Sequence, residues 1–165
     1  QVTCRISTAT PPRPSGRGRS TTLAKSPSPP YKLEDQVGHL LRRANQRHAA
    51  IFFEGLGAKQ LTPLQFAVLV KIGDEGEVSQ NLLGRLTAMD PATVQGVVRR
   101  LRERKLIDAR PDPEDRRRSL WRLSSIGEQF IREVIPAAEA ITTKTLEPLS
   151  AKDRKTLLDM LRKLS

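Results

Sequence analysis

The stretch DPATVQGVVRRLRERKLIDARPDPEDRRRSLWRL, residues 90–123, constrains the fold more than any other part of the chain. Asp90 is a good N-cap and Pro91 falls where a first helical residue can lack its N–H, so the spacing predicts a helix from here to about Lys105. On a helical wheel Val94, Val97, Val98 and Leu101 share one face, while Ala92, Gln95, Gly96, Arg99 and Glu103 fall opposite. One side docks on a core and the other is free. Gly96 stands out, because a mid-helix glycine costs roughly 1 kcal/mol relative to alanine; a close approach by another surface would explain it. Leu106 to Arg110 and Ser119 to Leu123 are short strand-like runs, and Pro111, Asp112 and Pro113 interrupt them. The loop between, with Arg116, Arg117 and Arg118 in a row, is expected to project.

Charge points the same way. Of the net +11, residues 1–30 hold +5 without a single acid, and residues 85–122 hold eleven Lys/Arg against six Asp/Glu. Most of the remaining excess therefore sits on the helix and hairpin. A localised positive surface favours a polyanion through counterion release, nucleic acid being the commonest; the bland alternative is a solvated face.

At 165 residues the chain fits one domain plus a tail, short enough that a dimer would help complete the core. No stretch approaches the roughly 20 apolar residues of a membrane span, and no apolar signal-peptide core opens the chain, so a soluble cytoplasmic protein is expected. The single cysteine, Cys4, lies in the tail, which leaves no disulfide framework and no Cys/His cluster for a metal. No cofactor is implied.

Taken in order, residues 1–30 are rich in Pro, Ser, Thr, Gly and Arg and read as a disordered arm. The arm either adds non-specific attraction to DNA or is an artificial or upstream-start extension. Residues 31–165 form the domain. From about Lys32 to Leu56 runs an amphipathic helix with Leu33, Val37, Leu40, Leu41, Ala44, Ile51 and Phe52 on its apolar face. His48 falls near the middle of that face, as a hydrogen-bonded core histidine or a polar group in a ligand pocket, whereas His39 is a solvated or interface residue. After Gly55 and Gly57, Thr62, Pro63 and Gln65 make a capping-box start for a helix bearing Phe66, Leu69, Val70 and Ile72. An extended link at Val78 leads to Ser79, the cap of a brief helix with Leu82, Leu83 and Leu86. That helix, a turn through Thr87 to Met89 and the helix from Asp90 form a helix-turn-helix, and the hairpin is a wing. Ser124 or Ser125 caps a helix with Phe130, Val134, Ala138 and Ile141 inward and a bend at Pro136. Ser150 and Asp153 start a final helix with Leu157, Leu158, Leu161 and Leu164. The fold class is thus mainly α: about six helices with a two-stranded wing. The long helices at both ends, 32–57 and 125–165, carry more apolar surface than one core needs and imply dimerisation, leaving 62–123 as the DNA-binding lobe.

The order of elements and the residues together resemble the MarR family of winged helix-turn-helix transcriptional regulators over about Leu33 to Leu164. DPEDRRRSLWRLSSIG, residues 112–127, looks like the family's wing signature, an Asp-x-Arg in the hairpin followed by Leu-Ser/Thr-x-x-Gly. LTPLQFAVL, the segment from Asp90 to Arg110 and the Leu-rich helix after LEPLSAKDR support it. One departure is Lys105–Leu106, where the family usually has a glycine. The resemblance implies a homodimer on a palindromic operator, with recognition helices in successive major grooves and wings over the flanking minor grooves. Asp115 would brace the hairpin by pairing with Arg117, which would enter the minor groove helped by Arg116. Ala92, Thr93, Gln95, Arg99 and Arg100 would make base-edge or phosphate contacts, Gly96 would permit close approach, and Ser79 and Thr93 could bond phosphates from helix N-termini. For Arg100, Arg102 and Arg104 the alternative is ordinary helix solubility. Family members generally repress and release DNA when a small aromatic anion binds beside the dimerisation helices. Here His48, Phe52, Gln65 and Phe66 would line that crevice, with Arg43 or Arg47 as carboxylate partner at the rim. The family's peroxide-sensing branch needs a cysteine in the first helix, and this domain has none there.

Two other classes compete. An enzyme is disfavoured by two histidines on opposite faces of one helix and by the lack of a nucleophile–base set, a phosphate loop or metal-ligand spacing. A sequence-tolerant architectural nucleic-acid protein without an effector would account equally well for the charge and the tail.

Overall fold

The computed structural model describes residues 31–115 and 118–165, of which Glu34–Ser165 form one compact unit. The expected arm at 1–30 and the wing residues Arg116 and Arg117 lie outside the described residues.

Among the described residues six α-helices and a three-stranded sheet follow one another, the helices in the expected order. A single 3-10 turn, Leu33–Asp35, precedes α1 (Val37–Leu56), so the first long helix starts later than the apolar pattern alone suggests. α2 (Pro63–Glu75) has the complete capping box: the Gln65 N–H donates to Thr62 Oγ1 at 3.2 Å, and the Thr62 N–H donates to Gln65 Oε1 at 3.0 Å. A short strand, β1 (Val78–Ser79), leads into α3 (Gln80–Leu86), and α4 (Pro91–Glu103) follows a tight turn. β2 (Ile107–Pro111) and β3 (Ser119–Leu123) make the wing, α5 (Ser125–Leu146) runs on through Pro136, and α6 (Ala151–Leu164) ends the chain.

The sheet has one strand more than the expected hairpin. β3 is central, with β2 on one side and β1 on the other, so that Trp121 pairs with both Ala109 and Val78. Two residues of extended chain were too few to read as a strand from sequence, and their pairing is with residues some forty positions away. Pro111 belongs to β2, where its missing N–H is tolerated on an edge strand.

The core is the sum of the inward faces. Val68, Leu69 and Ile72 of α2, Leu83 of α3, and Val94, Val97, Val98 and Leu101 of α4 meet Trp121 and Ile107 of the sheet. The second half of α1, through Ile51, Phe52 and Leu56, joins Ile131, Val134 and Ile141 of α5. The first half of α1 stays open: Val37, Leu40 and Leu41 are exposed, as are Leu157, Leu158 and Leu161 on α6, which buries no residue at all. Apolar residues at helical spacing on two terminal helices, uncovered within one chain, are what an interface between chains needs.

Candidate nucleic-acid interface and the cavity behind it

The helix-turn-helix is built by its caps. Ser79 Oγ accepts the Leu82 N–H at 3.3 Å, and Asp90 Oδ1 accepts the Thr93 N–H at 3.0 Å. Between the helices Ala88 adopts a left-handed φ of 51°, and the Met89 N–H donates to Gly84 O at 3.0 Å. A side chain at Gly84 would press on that turn, since an added Cβ would stand 3.2 Å from Met89 O. Thr93 also donates its hydroxyl to the other Asp90 oxygen. These two bonds, the hydroxyl first and the backbone N–H second, hold the Asp90 carboxyl below its usual pKa.

α4 presents two polar flanks on either side of its buried valine ridge. On one flank Gln95, Arg99 and Arg102 are exposed, Arg99 resting 3.7 Å from Glu103. These are the residues that can reach a partner in solvent. The opposite flank holds Ala92, Thr93, Gly96 and Arg100, which line a cavity of about 690 Å³ with Asn45, His48 and Ala49 of α1 and Thr62, Pro63 and Leu64 at the start of α2. Gly96 accordingly faces space, with nothing within 4 Å of where a Cβ would stand. Arg100 is exposed at the mouth and makes no ion pair with a described residue.

The structure thus sorts the expected residues differently from the sequence. It brings four of the expected DNA contacts, Ala92, Thr93, Gly96 and Arg100, together with the expected effector residue His48. Phe52 and Phe66 lie instead in an edge-to-face stack at 6.1 Å, and Gln65 is buried in its capping box. Arg43 is exposed away from the cavity, and Arg47 reaches the Lys144 carbonyl at 3.5 Å. Asn45 and the Thr62–Leu64 turn were missed; nothing in their local pattern marks a cavity, which arises only when α1 and α4 are brought together.

A smaller groove of about 340 Å³ joins Ser79, Gln80, Asn81 and Arg85 of the helix-turn-helix to Arg118 and Ser119 of the wing. Asn81 and Arg85, four residues apart on the exposed face of α3, were legible as a polar pair. The wing loop is folded on itself. Glu114 N–H donates to Asp112 Oδ1 at 2.9 Å, Asp112 N–H to Arg118 O at 3.0 Å, and Arg118 Nε stands 3.3 Å from Asp115 Oδ2. Asp115 therefore braces the hairpin through Arg118; its expected pairing with Arg117 lies outside the described residues.

Another cavity, of about 560 Å³, opens at the end of α2 against β3 and α5. Its charges are largely matched by neighbours, Asp74 with Lys71, Glu77 with Arg110 and Glu128 with Arg132, so it offers a ligand less than the cavity beside α4 does. Among the described residues no group of three or more His, Cys, Asp or Glu could hold a metal, and no helix is long and apolar enough to cross a membrane.

Comparison with known proteins places this geometry. The MarR family model matches residues 59–118, the span from α2 into the wing. The HTH-type transcriptional repressor NicR of Pseudomonas putida is 40% identical over 148 residues, 88% of this chain and 94% of that protein. Solved structures are also similar, two of them at more than 40% identity. The probable transcriptional regulator from Pseudomonas aeruginosa is 48% identical with a TM-score of 0.79, over 81% of this chain and all of that one. BpsR of Bordetella bronchiseptica, whose DNA binding is regulated by 6-hydroxynicotinic acid, is 43% identical with a TM-score of 0.79, over 82% and 97% of the two chains. A repressor so similar along almost its whole length, on a fold whose basic recognition helix and wing are already in view, leaves one conclusion: the chain belongs to the MarR family of transcriptional regulators.

Proposed function

We propose that the protein is a ligand-responsive repressor that binds a palindromic operator as a homodimer and is released by a small aromatic carboxylate. The observation that carries this reading is the double duty of α4. Its Gln95 and Arg99 flank faces solvent, and its Thr93, Gly96 and Arg100 flank walls a cavity shared with α1. A ligand held there touches the DNA-reading helix and the helix whose exposed Val37, Leu40 and Leu41 supply the dimer interface.

In this reading Gln95, Arg99 and the wing residues Arg116 and Arg117 contact DNA, with Ser79 beside them. Asp115 holds the wing loop. The carboxylate of the ligand pairs with Arg100 at the cavity mouth, where a guanidinium offers two parallel donors, and His48 lies at the inner wall. The spacing of the two recognition helices must match the helical repeat of DNA, so a small displacement of α4 against α1 is enough to lower affinity. The regions 32–57 and 125–165 form the dimer and 62–123 the DNA-binding lobe, and the protein works in the cytoplasm, on the nucleoid. A relative regulated by 6-hydroxynicotinic acid supports an aromatic acid as the effector class.

Footprinting on the DNA flanking the gene tests the first half. A protected inverted repeat of one or two helical turns is expected; uniform protection along any duplex would favour a sequence-tolerant architectural protein instead. Adding 6-hydroxynicotinic acid tests the second half: the footprint is expected to disappear, and a thermal-shift series of benzene and pyridine carboxylates ranks the alternatives.

A further inference from the structure

His48 is tied to α5 as well as to the cavity. Its Nδ1 lies 3.0 Å from Thr145 Oγ1, and Thr145 Oγ1 in turn lies 2.8 Å from the Ile141 carbonyl. The carbonyl can only accept, so the Thr145 hydroxyl hydrogen goes to Ile141 O, the back-bond that threonine makes within a helix. The hydroxyl oxygen is then left with lone pairs alone. A contact of 3.0 Å to it is a hydrogen bond only if the ring nitrogen supplies the proton.

We infer that Thr145 holds His48 in the Nδ1–H tautomer, leaving Nε2 as the acceptor of a ring that lines the cavity, and that the site therefore selects ring acids bearing an O–H or N–H donor. The selectivity rests on the effector reading above; the tautomer does not. Thr145 is outside the cavity lining and touches no ligand, so it is a positioning residue. The surrounding seam keeps the ring in place. Phe52 packs against it at 6.4 Å between ring centres, Gly55 closes on Ile141, and Glu54 pairs with Lys144 at 2.7 Å. A singly protonated imidazole whose Nδ1–H is taken up from behind has its acceptor fixed at Nε2, the arrangement by which a second partner sets which ring nitrogen is available. With Arg100 taking the carboxylate at the mouth and Nε2 accepting at the wall, the two ends of a flat ring are read by opposite chemistry. An acid whose donor is capped leaves Nε2 desolvated and unpaired, which costs affinity.

The chain has two histidines, so long-range proton–nitrogen NMR of the full-length protein, with His39→Gln for assignment, reads the His48 tautomer directly. In the free protein Nδ1 is expected as the protonated nitrogen. Thr145→Val, which keeps the shape and removes the oxygen, is expected to shift the ring to the Nε2–H form; Thr145→Ser is expected to restore Nδ1–H. In calorimetry 6-hydroxynicotinate is expected to bind at least about tenfold more tightly than 6-methoxynicotinate, the equivalent of one hydrogen bond, with the preference lost in Thr145→Val and regained in Thr145→Ser. Nε2–H in the free wild-type protein overturns the lock whether or not any acid binds. Nδ1–H with neither acid bound supports the lock and overturns the effector reading. Nδ1–H with both acids bound equally overturns the selectivity.

Discussion

Gly127 at the start of α5 stands so close to the Leu106 carbonyl that a Cβ on it would lie 1.9 Å from that oxygen. The contact belongs to a small joint between recognition helix, wing and α5. The Ser124 N–H donates to Leu106 O at 3.1 Å, Ser124 Oγ donates to Lys105 O at 2.6 Å, and the same oxygen accepts the Gly127 N–H at 3.0 Å as the cap of α5. Because the clashing atom is backbone, no rotamer can relieve it. Gly127→Ala is expected to destabilise by about 3 kcal/mol or more in urea denaturation, and Ser124→Ala by about 1–2 kcal/mol through the lost cap and bond.

Lys105 makes that joint turn. It carries a left-handed φ of 58°, the backbone region that favours glycine. A side chain there costs roughly 1–2 kcal/mol, while glycine costs some of this back in chain entropy. Lys105→Gly is therefore expected to raise stability by about 0.5–1 kcal/mol at unchanged fold, read as a higher urea midpoint with the same slope.

Arg104 separates itself from the other arginines of α4. Nη1 and Nη2 donate to Gln60 O and Lys59 O at 2.8 and 3.0 Å, and the guanidinium lies 5.3 Å from the centre of the Phe130 ring. It ties the end of α4 to the α1–α2 link and to α5. Arg104→Ala is expected to cost about 1.5–3 kcal/mol, and Arg104→Lys to recover only part, since an ammonium cannot fork to two carbonyls while lying on a ring. Arg102→Ala, on the exposed flank, is expected to leave the melting temperature unchanged.

These residues show what the sequence made legible. The caps of α2, α3, α4 and α6, the capping box and the valine ridge of α4 are local, set within four residues, and were readable, whereas the start of α1 was placed too early and the cap of α5 was left between Ser124 and Ser125. The part played by Arg104 was not, because its carbonyl partners lie forty-four and forty-five positions away. β1 was hidden for the same reason, and so was the cavity, whose walls come from α1, α2 and α4. Helical periodicity told that Gly96 leaves the valine face; it could not tell which of two flanks stays in solvent and which meets α1.

Asp90 gives the recognition helix a pH dependence of known sign. Its pKa is depressed in the folded state below the ordinary 3.8 by the Thr93 hydroxyl and N–H. A depressed carboxylate contributes stability that is fully present above the unfolded value and is lost as pH falls through the folded one. Asp90→Ala is thus expected to melt lower than wild type at neutral pH, with the gap constant down to about pH 5 and closing below about pH 4. Paired thermal melts across that range check it; a gap that widens on acidification would remove Asp90 from the account.

Gly96 decides between the two uses of α4. If it faces the effector cavity, as nothing within 4 Å of its would-be Cβ suggests, a side chain there grows into empty space. Gly96→Ala then removes the cost of a mid-helix glycine and is expected to stabilise by about 0.5–1 kcal/mol without touching operator affinity. Gly96→Leu fills part of the cavity, so it is expected to keep operator binding while losing release by 6-hydroxynicotinate. If Gly96 instead allows DNA to approach the backbone, both variants weaken the operator complex, leucine more than alanine, and the ligand response survives in whatever binding remains. Operator affinity of the two variants, measured with and without the acid, separates these outcomes, because only the cavity reading predicts a tightly bound repressor that no longer lets go.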